Sequence, residues 1–151
     1  MKGIEINLAI ETDRDWAAEL MARSQPWVRL RVPREQCLKA CHDASYEVYL
    51  GRQGQEAIAF MILHHHGVAG APYIKSICVE EKFRNWKVGE KMIRFAEELF
   101  RPASPHLFLC VSSFNKKAQS FYHRLGFQQV GEFEDFIIQG ESEILMYKRL
   151  S

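Results

Sequence analysis

Residues 74–100 begin Ile74-Lys75-Ser76-Ile77-Cys78-Val79-Glu80-Glu81-Lys82-Phe83-Arg84-Asn85-Trp86-Lys87-Val88-Gly89 and continue to Phe100. The first six residues predict a strand, since Ile77 and Val79 share one face and β-branched residues suit a pleated, buried surface. Glu80 to Trp86 reads as a charged turn, and a helix follows from about Lys87. Val88, Met92, Phe95, Ala96 and Leu99 recur at helical spacing and leave Glu90, Lys91, Arg94, Glu97 and Glu98 toward water.

A strand entering a helix through a short basic turn suits the binding of an anion. The first helical N–H groups lack intrahelical partners, and the helix dipole adds partial positive charge there. Lys82, Arg84 and Lys87 surround that terminus, and Gly89 lets a ligand approach the backbone closely. The chemistry this favours is a pyrophosphate.

Upstream, Ile4, Ile6, Leu8 and Ile10 alternate with polar or small residues and predict a first strand. Thr12 reads as an N-cap with Asp15 as its capping-box acid, opening a helix that buries Trp16, Leu20 and Met21 and ends near Ser24. Pro33 suits the first turn of a second helix presenting Cys37, Leu38 and Cys41 on one face. Trp27 reads as core, or with Arg29 and Arg31 as a wall of a substrate cleft. Tyr46–Arg52 and Gln55–His66 read as strands joined at Gly51-Arg52-Gln53-Gly54. The second is apolar on both faces and therefore central.

Downstream, Leu107-Phe108-Leu109-Cys110-Val111 is a continuous apolar run, a buried strand. Asn115 caps a helix with Ala118, Phe121, Tyr122 and Leu125 as its stripe, and Gly126 ends it. Residues 127–138 and 143–150 form a closing hairpin around residues 139–142, with Gly131 marking a bulge.

Two of these stretches resemble the GNAT superfamily of acetyl-CoA-dependent N-acetyltransferases. Val79 to Gly89 is similar to its acyl-CoA signature, V-x-P-x-x-[RQ]-x-x-G-x-[GA]. Arg84 and Gly89 fit, Glu81 stands where Pro is usual, and Lys87 replaces the first Gly. Asn115-Lys116-Lys117-Ala118-Gln119-Ser120-Phe121-Tyr122-His123-Arg124-Leu125-Gly126-Phe127 matches N-x-x-A-x-x-[FL]-Y-x-x-x-G-F without a gap. These matches cover Ile77–Glu90 and Leu107–Phe127, while the element order β-α-α-β-β-β-α-β-α-β-β spans nearly the whole chain.

The resemblance implies an α+β, three-layer α/β/α fold. A single mixed, mostly antiparallel sheet of about seven strands is flanked by about four helices and splayed between the Ile74–Val79 and Leu107–Val111 strands. It also implies acetyl-CoA as cosubstrate. The pantetheine arm would pair with Ile77, Cys78 and Val79. The pyrophosphate would rest on the amides of Asn85, Trp86, Lys87, Val88, Gly89 and Glu90, beside Arg84. Asn115 would hydrogen-bond the arm, and Tyr122 would sit near the thioester sulfur. Asn115 as a cap and Tyr122 as a core aromatic are compatible with those roles.

Composition narrows the classes. The 151 residues, 47% hydrophobic and 26% charged, suit one soluble domain over residues 1–151. A net charge of +1 without a basic run lacks the electrostatic footprint of a nucleic-acid binder. No apolar run reaches membrane-spanning length, no signal peptide is evident, and the four cysteines sit in apolar patterns. A cytoplasmic protein with reduced thiols is expected.

Amine attack on a thioester needs a neutral amine, an oxyanion site and a proton for the leaving thiolate. Val79 N–H suits the oxyanion and Tyr122 the proton. His64-His65-His66 lacks a completing carboxylate or cysteine, so no metal is expected. Cys110, flanked by Leu109 and Val111, reads as an inert thiol rather than a base. Glu80, His65 or His66 would then relay the proton through water, or the amine arrives neutral. The expected acceptor is a small primary amine. The alternatives are a peptide N-terminus, as in ribosomal-protein acetyltransferases, or a non-catalytic acyl-CoA sensor, and a homodimer through the C-terminal strands stays open.

Overall fold

The run apolar on both faces lies inside the sheet with strands on either side, as its composition requires. The computed structural model describes residues 3–84 and 86–151, with Trp86 described through its backbone. In chain order the elements are β1 (Ile4–Leu8), α1 (Glu11–Ala22), α2 (Arg34–His42), β2 (Glu47–Gln53), β3 (Glu56–Val68) and β4 (Ala71–Val79). A 3-10 turn (Glu81–Phe83) leads to α3 (Trp86–Phe100), β5 (His106–Ser112), α4 (Lys116–Arg124), β6 (Gln128–Phe133) and β7 (Glu143–Arg149). The seven strands form one open sheet in the order β1-β2-β3-β4-β5-β7-β6. Only β4 and β5 run parallel.

Each face of the sheet carries its own core. Ala59, Met61 and Leu63 of β3 pack with Val88, Met92, Ile93, Ala96 and Phe100 of α3 and with Phe121 and Tyr122 of α4. Phe60 and Ile62 point the other way, into Ala17, Ala18, Leu20 and Met21 of α1 and Cys37 and Cys41 of α2. Period-2 alternation on one strand thus supplies both cores of a three-layer fold.

The interruption of that alternation shapes the site. Ile62 pairs with Ser76, yet Leu63 pairs with Ile74, so Lys75 is an extra residue, a β-bulge. Parity flips across it: Cys78 joins the α1–α2 core, whereas Ile74 joins the α3–α4 core. The bulge also falls where β4 stops pairing with its parallel neighbour. Tyr73 and Ile74 pair with Phe108 and Leu109, and beyond Ile74 no β5 residue pairs with β4.

Several local expectations need correction. The N-cap of α1 is Ile10 rather than Thr12, and the acid that bonds back is Asp13, which accepts from the Ile10 N–H at 3.0 Å. Trp16 is only half-buried, and Ala17 and Ala18 take the core positions. Pro33 precedes α2 as its N-cap. The first hairpin turns at Gly54-Gln55, because β2 extends to Gln53.

The closing hairpin is shorter than its apolar pattern suggests. β6 stops at Phe133, and residues 134–142 form a long connection carrying exposed Phe136 and Ile137. Glu97, expected toward water, is 2% exposed. It sits between Arg94 (3.0 Å) and Lys148 of β7 (2.8 Å), so its charge is buried with two cations. Gly131 does lie at a register shift, and Gly126 ends α4 with φ +101°. Among the described residues no helix is long and apolar enough to cross a membrane.

Candidate functional site

The divergence of β4 from β5 leaves an opening in the middle of the sheet. Glu80 N–H donates to Ile58 C=O at 2.7 Å. Antiparallel alternation then turns the main-chain groups of Val79 and Ile77 away from β3 and into the opening. The Val79 carbonyl accepts from Arg84 Nε at 2.8 Å, as that orientation requires.

A cleft of about 430 Å3 occupies the opening, lined by Ile77, Cys78, Val79, Arg84, Gly89, Asn115 and Tyr122 together with Gln25, Lys117, Ala118 and Phe121. Seven of the sequence-selected residues therefore meet in one place. Val88 instead is buried in the core, and Lys87 and Glu90 are exposed on the outer side of α3. Asn85 lies outside the described residues, and Trp86 is the first residue of α3. Lys117, which the motif leaves as an unspecified position, adds a cation to the lining beside Arg84.

Gly89 does not simply leave room for a ligand. A Cβ there would lie 3.1 Å from Phe121 Cζ, so the missing side chain lets α4 pack onto α3. Asn115 accepts from the Ala118 N–H at 3.2 Å and starts α4, as expected of a cap. That start aims the following turns so that Tyr122 reaches the opening.

Tyr122 is 8% exposed and packs against Phe121 and Phe127 at centroid separations of 5.3 and 6.0 Å. Burial, with the nearby Cys78 sulfur, raises its phenol above the ordinary value, so it remains protonated at neutral pH. Cys78 is likewise pushed up by burial, partly offset by the Ser24 hydroxyl and Arg84.

A second cavity of about 300 Å3 adjoins the first, and Tyr122, Asn115, Ala118, Ile77 and Gln25 belong to both walls. Its far walls are Trp27 and Leu30 before α2, Tyr73, Ile74 and Lys75 at the β4 bulge, Cys110 on β5, Phe136 and Ile137 before β7, and Glu143. Trp27 is thus half-buried beside Phe60 (6.1 Å) and also lines this cavity.

Cys110 is not a core thiol. It is half-buried and faces this cavity, and burial raises its pKa as its apolar flanks suggested, partly offset by the Tyr73 hydroxyl. Cys37 and Cys41, in the core beneath α1 and α2, are by contrast fully buried, with Cys41 pushed by burial up to about 12.

The proposed proton relays do not reach either cavity. Glu80 is held by Arg23 through bonds of 2.8 and 3.0 Å, which lower its pKa and so its basicity. His65 pairs with Glu47 at 2.6 Å and stands edge-on to Phe100, while His66 contacts the Gly70 carbonyl. None of the three lines either of these two cavities. Among the described residues no His, Cys, Asp and Glu side chains gather as a metal site.

Glu143 is the residue the sequence reading missed. It opens β7, is 8% exposed, and accepts from the Ser112 hydroxyl at 2.6 Å. Its placement depends on the pairing of Ser112 with Glu143 across β5 and β7, a register no local pattern reveals.

Comparison with known proteins follows the same lines. The Acetyltransferase (GNAT) family profile matches residues 11–127. The fold is shared with the ribosomal-protein-S18-alanine N-acetyltransferase of Escherichia coli, at 18% identity and TM-score 0.77 over 99% of this chain and 95% of that one. The aminoglycoside 6'-N-acetyltransferase of Enterococcus faecium aligns at 14% identity and TM-score 0.76 over 97% of each chain. An acetyltransferase of Bacillus subtilis in complex with CoA aligns at 18% identity and TM-score 0.79, over 99% of this chain and 100% of that one. A search of curated protein sequences gives no match.

Proposed function

This chain belongs to the acetyltransferase (GNAT) family, and from that premise we propose that it transfers an acetyl group from acetyl-CoA to a primary amine. The observation that carries the reading is the meeting of two cavities at Tyr122, which lines both. Two reactants, one in each cavity, could approach one another there.

The residues present fit acetyl-CoA. Ile77 and Val79 offer main-chain donors and acceptors along an edge that β5 leaves unpaired, which suits an extended amide-bearing arm. Arg84 and Lys117 line the cleft beside the first turns of α3 and α4, where phosphates are favoured. The Bacillus subtilis relative of the same fold was solved with CoA.

Acetyl-CoA supplies an acetyl group activated as a thioester. Val79 N–H, fixed by strand geometry, donates to the charge that develops on the carbonyl oxygen. Tyr122 donates its phenolic proton to the departing sulfur. The thiolate of a thiol with ordinary pKa about 8.5 is a weaker base in water than phenolate, and burial raises the Tyr122 phenol further; a thiolate desolvated in the same cleft would gain basicity too. The shared walls hold the reactants near one another, which removes much of the entropic barrier.

Isothermal calorimetry and thermal unfolding with acetyl-CoA test the reading, alongside thiol release with a panel of amines. Binding should raise Tm, with about 2.7 kcal/mol of added stability at a hundredfold excess over Kd, and CoA should appear only with an amine present. Absence of heat, of stabilisation and of thiol release would overturn it.

A further inference from the structure

The second cavity has a distinctive composition: one buried carboxylate, apolar and aromatic walls, and one exposed cation. Glu143 is the sole acidic residue among its described lining residues, and Lys75 the sole basic one. Ser112 Oγ donates to one Glu143 oxygen at 2.6 Å from the β5 side. Tyr73 and Cys110 also line the cavity, and their side chains interact with one another. Among the described residues no Lys, Arg or His forms an ion pair with Glu143. A buried carboxylate with one hydroxyl donor and no cation is costly unless a partner arrives.

From this geometry we infer that Glu143 receives the acceptor's ammonium group and takes its proton, and that the acceptor is a compact primary monoamine on an apolar or aromatic body. The inference rests on the acetyltransferase reading above and deepens it. Trp27, Leu30, Phe136 and Ile137 supply apolar walls for such a body, and Phe136 and Ile137 are 63% and 46% exposed, an apolar rim beside the entrance. Lys75, whose Nζ lies 5.2 Å from the Tyr46 ring centroid, disfavours a second positive charge on the acceptor.

Chain geometry also disfavours a peptide. Arg29, in the connection before α2, pairs with Glu141, before β7, at 2.7 Å and lies 4.3 Å over the Phe114 ring. The two loops flanking the cavity therefore touch, which suits a small molecule better than an extended chain. A cavity near 300 Å3 falls at the lower end of the range for small-molecule sites.

The step balances without an outside oxidant or metal. An ammonium N–H bond breaks, its proton forms an O–H bond on Glu143, and the nitrogen keeps the electron pair. That pair forms the C–N bond to the acetyl carbon, the C–S pair leaves on sulfur, and Tyr122 protonates the sulfur. The tyrosinate regains a proton from the new amide nitrogen, and the Glu143 proton passes to solvent after product leaves. Burial and the nearby Glu141 carboxylate raise the Glu143 pKa, opposed by Ser112, which brings it closer to that of a proton acceptor working near neutrality. Tyr73, Cys110 and Lys75 are the other titratable groups facing it.

The test compares 2-phenylethylamine, spermidine and an alanyl dipeptide as acceptors for wild type, Glu143→Gln and Phe136→Ala, with acetyl-CoA affinity measured separately by calorimetry. Gln is isosteric and can still accept from Ser112, so that variant should fold. We expect 2-phenylethylamine to have the highest kcat/KM. Glu143→Gln should lower it at least about 100-fold and remove the ionisation on the acidic limb of its pH profile, with acetyl-CoA affinity unchanged. Phe136→Ala should raise KM for 2-phenylethylamine more than for the dipeptide. Preference for spermidine or the dipeptide, or a wild-type pH profile in Glu143→Gln, would overturn the inference while leaving the acetyltransferase reading intact. Failure of acetyl-CoA to bind any variant would overturn both.

Discussion

Arg23, capping the end of α1, grips the Glu80 carboxylate at the end of β4 through two bonds of 2.8 and 3.0 Å. The pairing ties the α1 layer to the strand that borders the cleft, and it sets the chemistry of Glu80. A carboxylate held by a guanidinium prefers its ionised form and accepts a proton reluctantly.

Glu80→Gln should therefore leave kcat/KM and its pH profile unchanged, measured with any productive amine. The stability effect is small, since Arg23 is 55% exposed and such pairs contribute about 0–1 kcal/mol. Its sign follows from the lowered pKa of Glu80. The contribution is present above the ordinary carboxylate range near about 4.3 and disappears as pH falls through the folded value. Urea unfolding at neutral and acidic pH reads this directly; loss of the basic proton acceptor in Glu80→Gln kinetics would return Glu80 to the mechanism.

Tyr122→Phe should lower kcat by about 10²–10⁴-fold with a much smaller change in KM for acetyl-CoA. In the proposed mechanism the hydroxyl acts when the thiolate leaves, so its removal would affect the transition state. The ring contacts with Phe121 and Phe127 survive the change. Steady-state kinetics with unchanged Tm would fit this account, and wild-type turnover would reduce Tyr122 to packing.

Gly89→Val should destabilise the fold as well as weaken acetyl-CoA binding, by about 1–3 kcal/mol of overpacking. The inserted Cβ would meet Phe121 Cζ at 3.1 Å, and Val brings two further carbons. Adding Phe121→Leu should recover part of the lost Tm. If the single variant keeps full stability, α4 is free to shift off α3.

Glu97→Ala should cost about 3 kcal/mol or somewhat less, measured by denaturant unfolding. It leaves Lys148, 18% exposed, and Arg94 facing one another without the buried anion between α3 and β7. Glu97→Leu with Lys148→Met should recover much of that loss, because a packed apolar pair avoids the desolvation of both charges. A Glu97→Ala variant of wild-type stability would show the triad to be energetically idle.

The helical stripe of α3, the two-faced β3 and the Asn115 cap were legible because each is written in neighbouring residues. Helix and strand periods repeat within a few positions, and a cap needs only one side chain near the first free N–H groups. The Asn115–Phe127 motif likewise carried the family and the position of Tyr122. Glu97 was misjudged for the complementary reason: its helical position points outward from α3, and only Lys148, 51 residues later, makes that direction buried.

Sequence alone therefore determined the elements, their order and the family, since local periodicity and a contiguous motif need no knowledge of distant neighbours. Tertiary structure decided the chemistry around them. The extra residue Lys75 is invisible as a bulge until β3 sets its partner, yet it flips the parity of β4 at the point where pairing with β5 ends. The same holds for Glu143, which becomes a buried carboxylate only when Ser112 is paired opposite it and the loops bearing Arg29 and Glu141 meet. Register and burial are properties of pairs far apart in the chain, and they decide which carboxylate faces solvent, which faces a guanidinium and which faces the cavity.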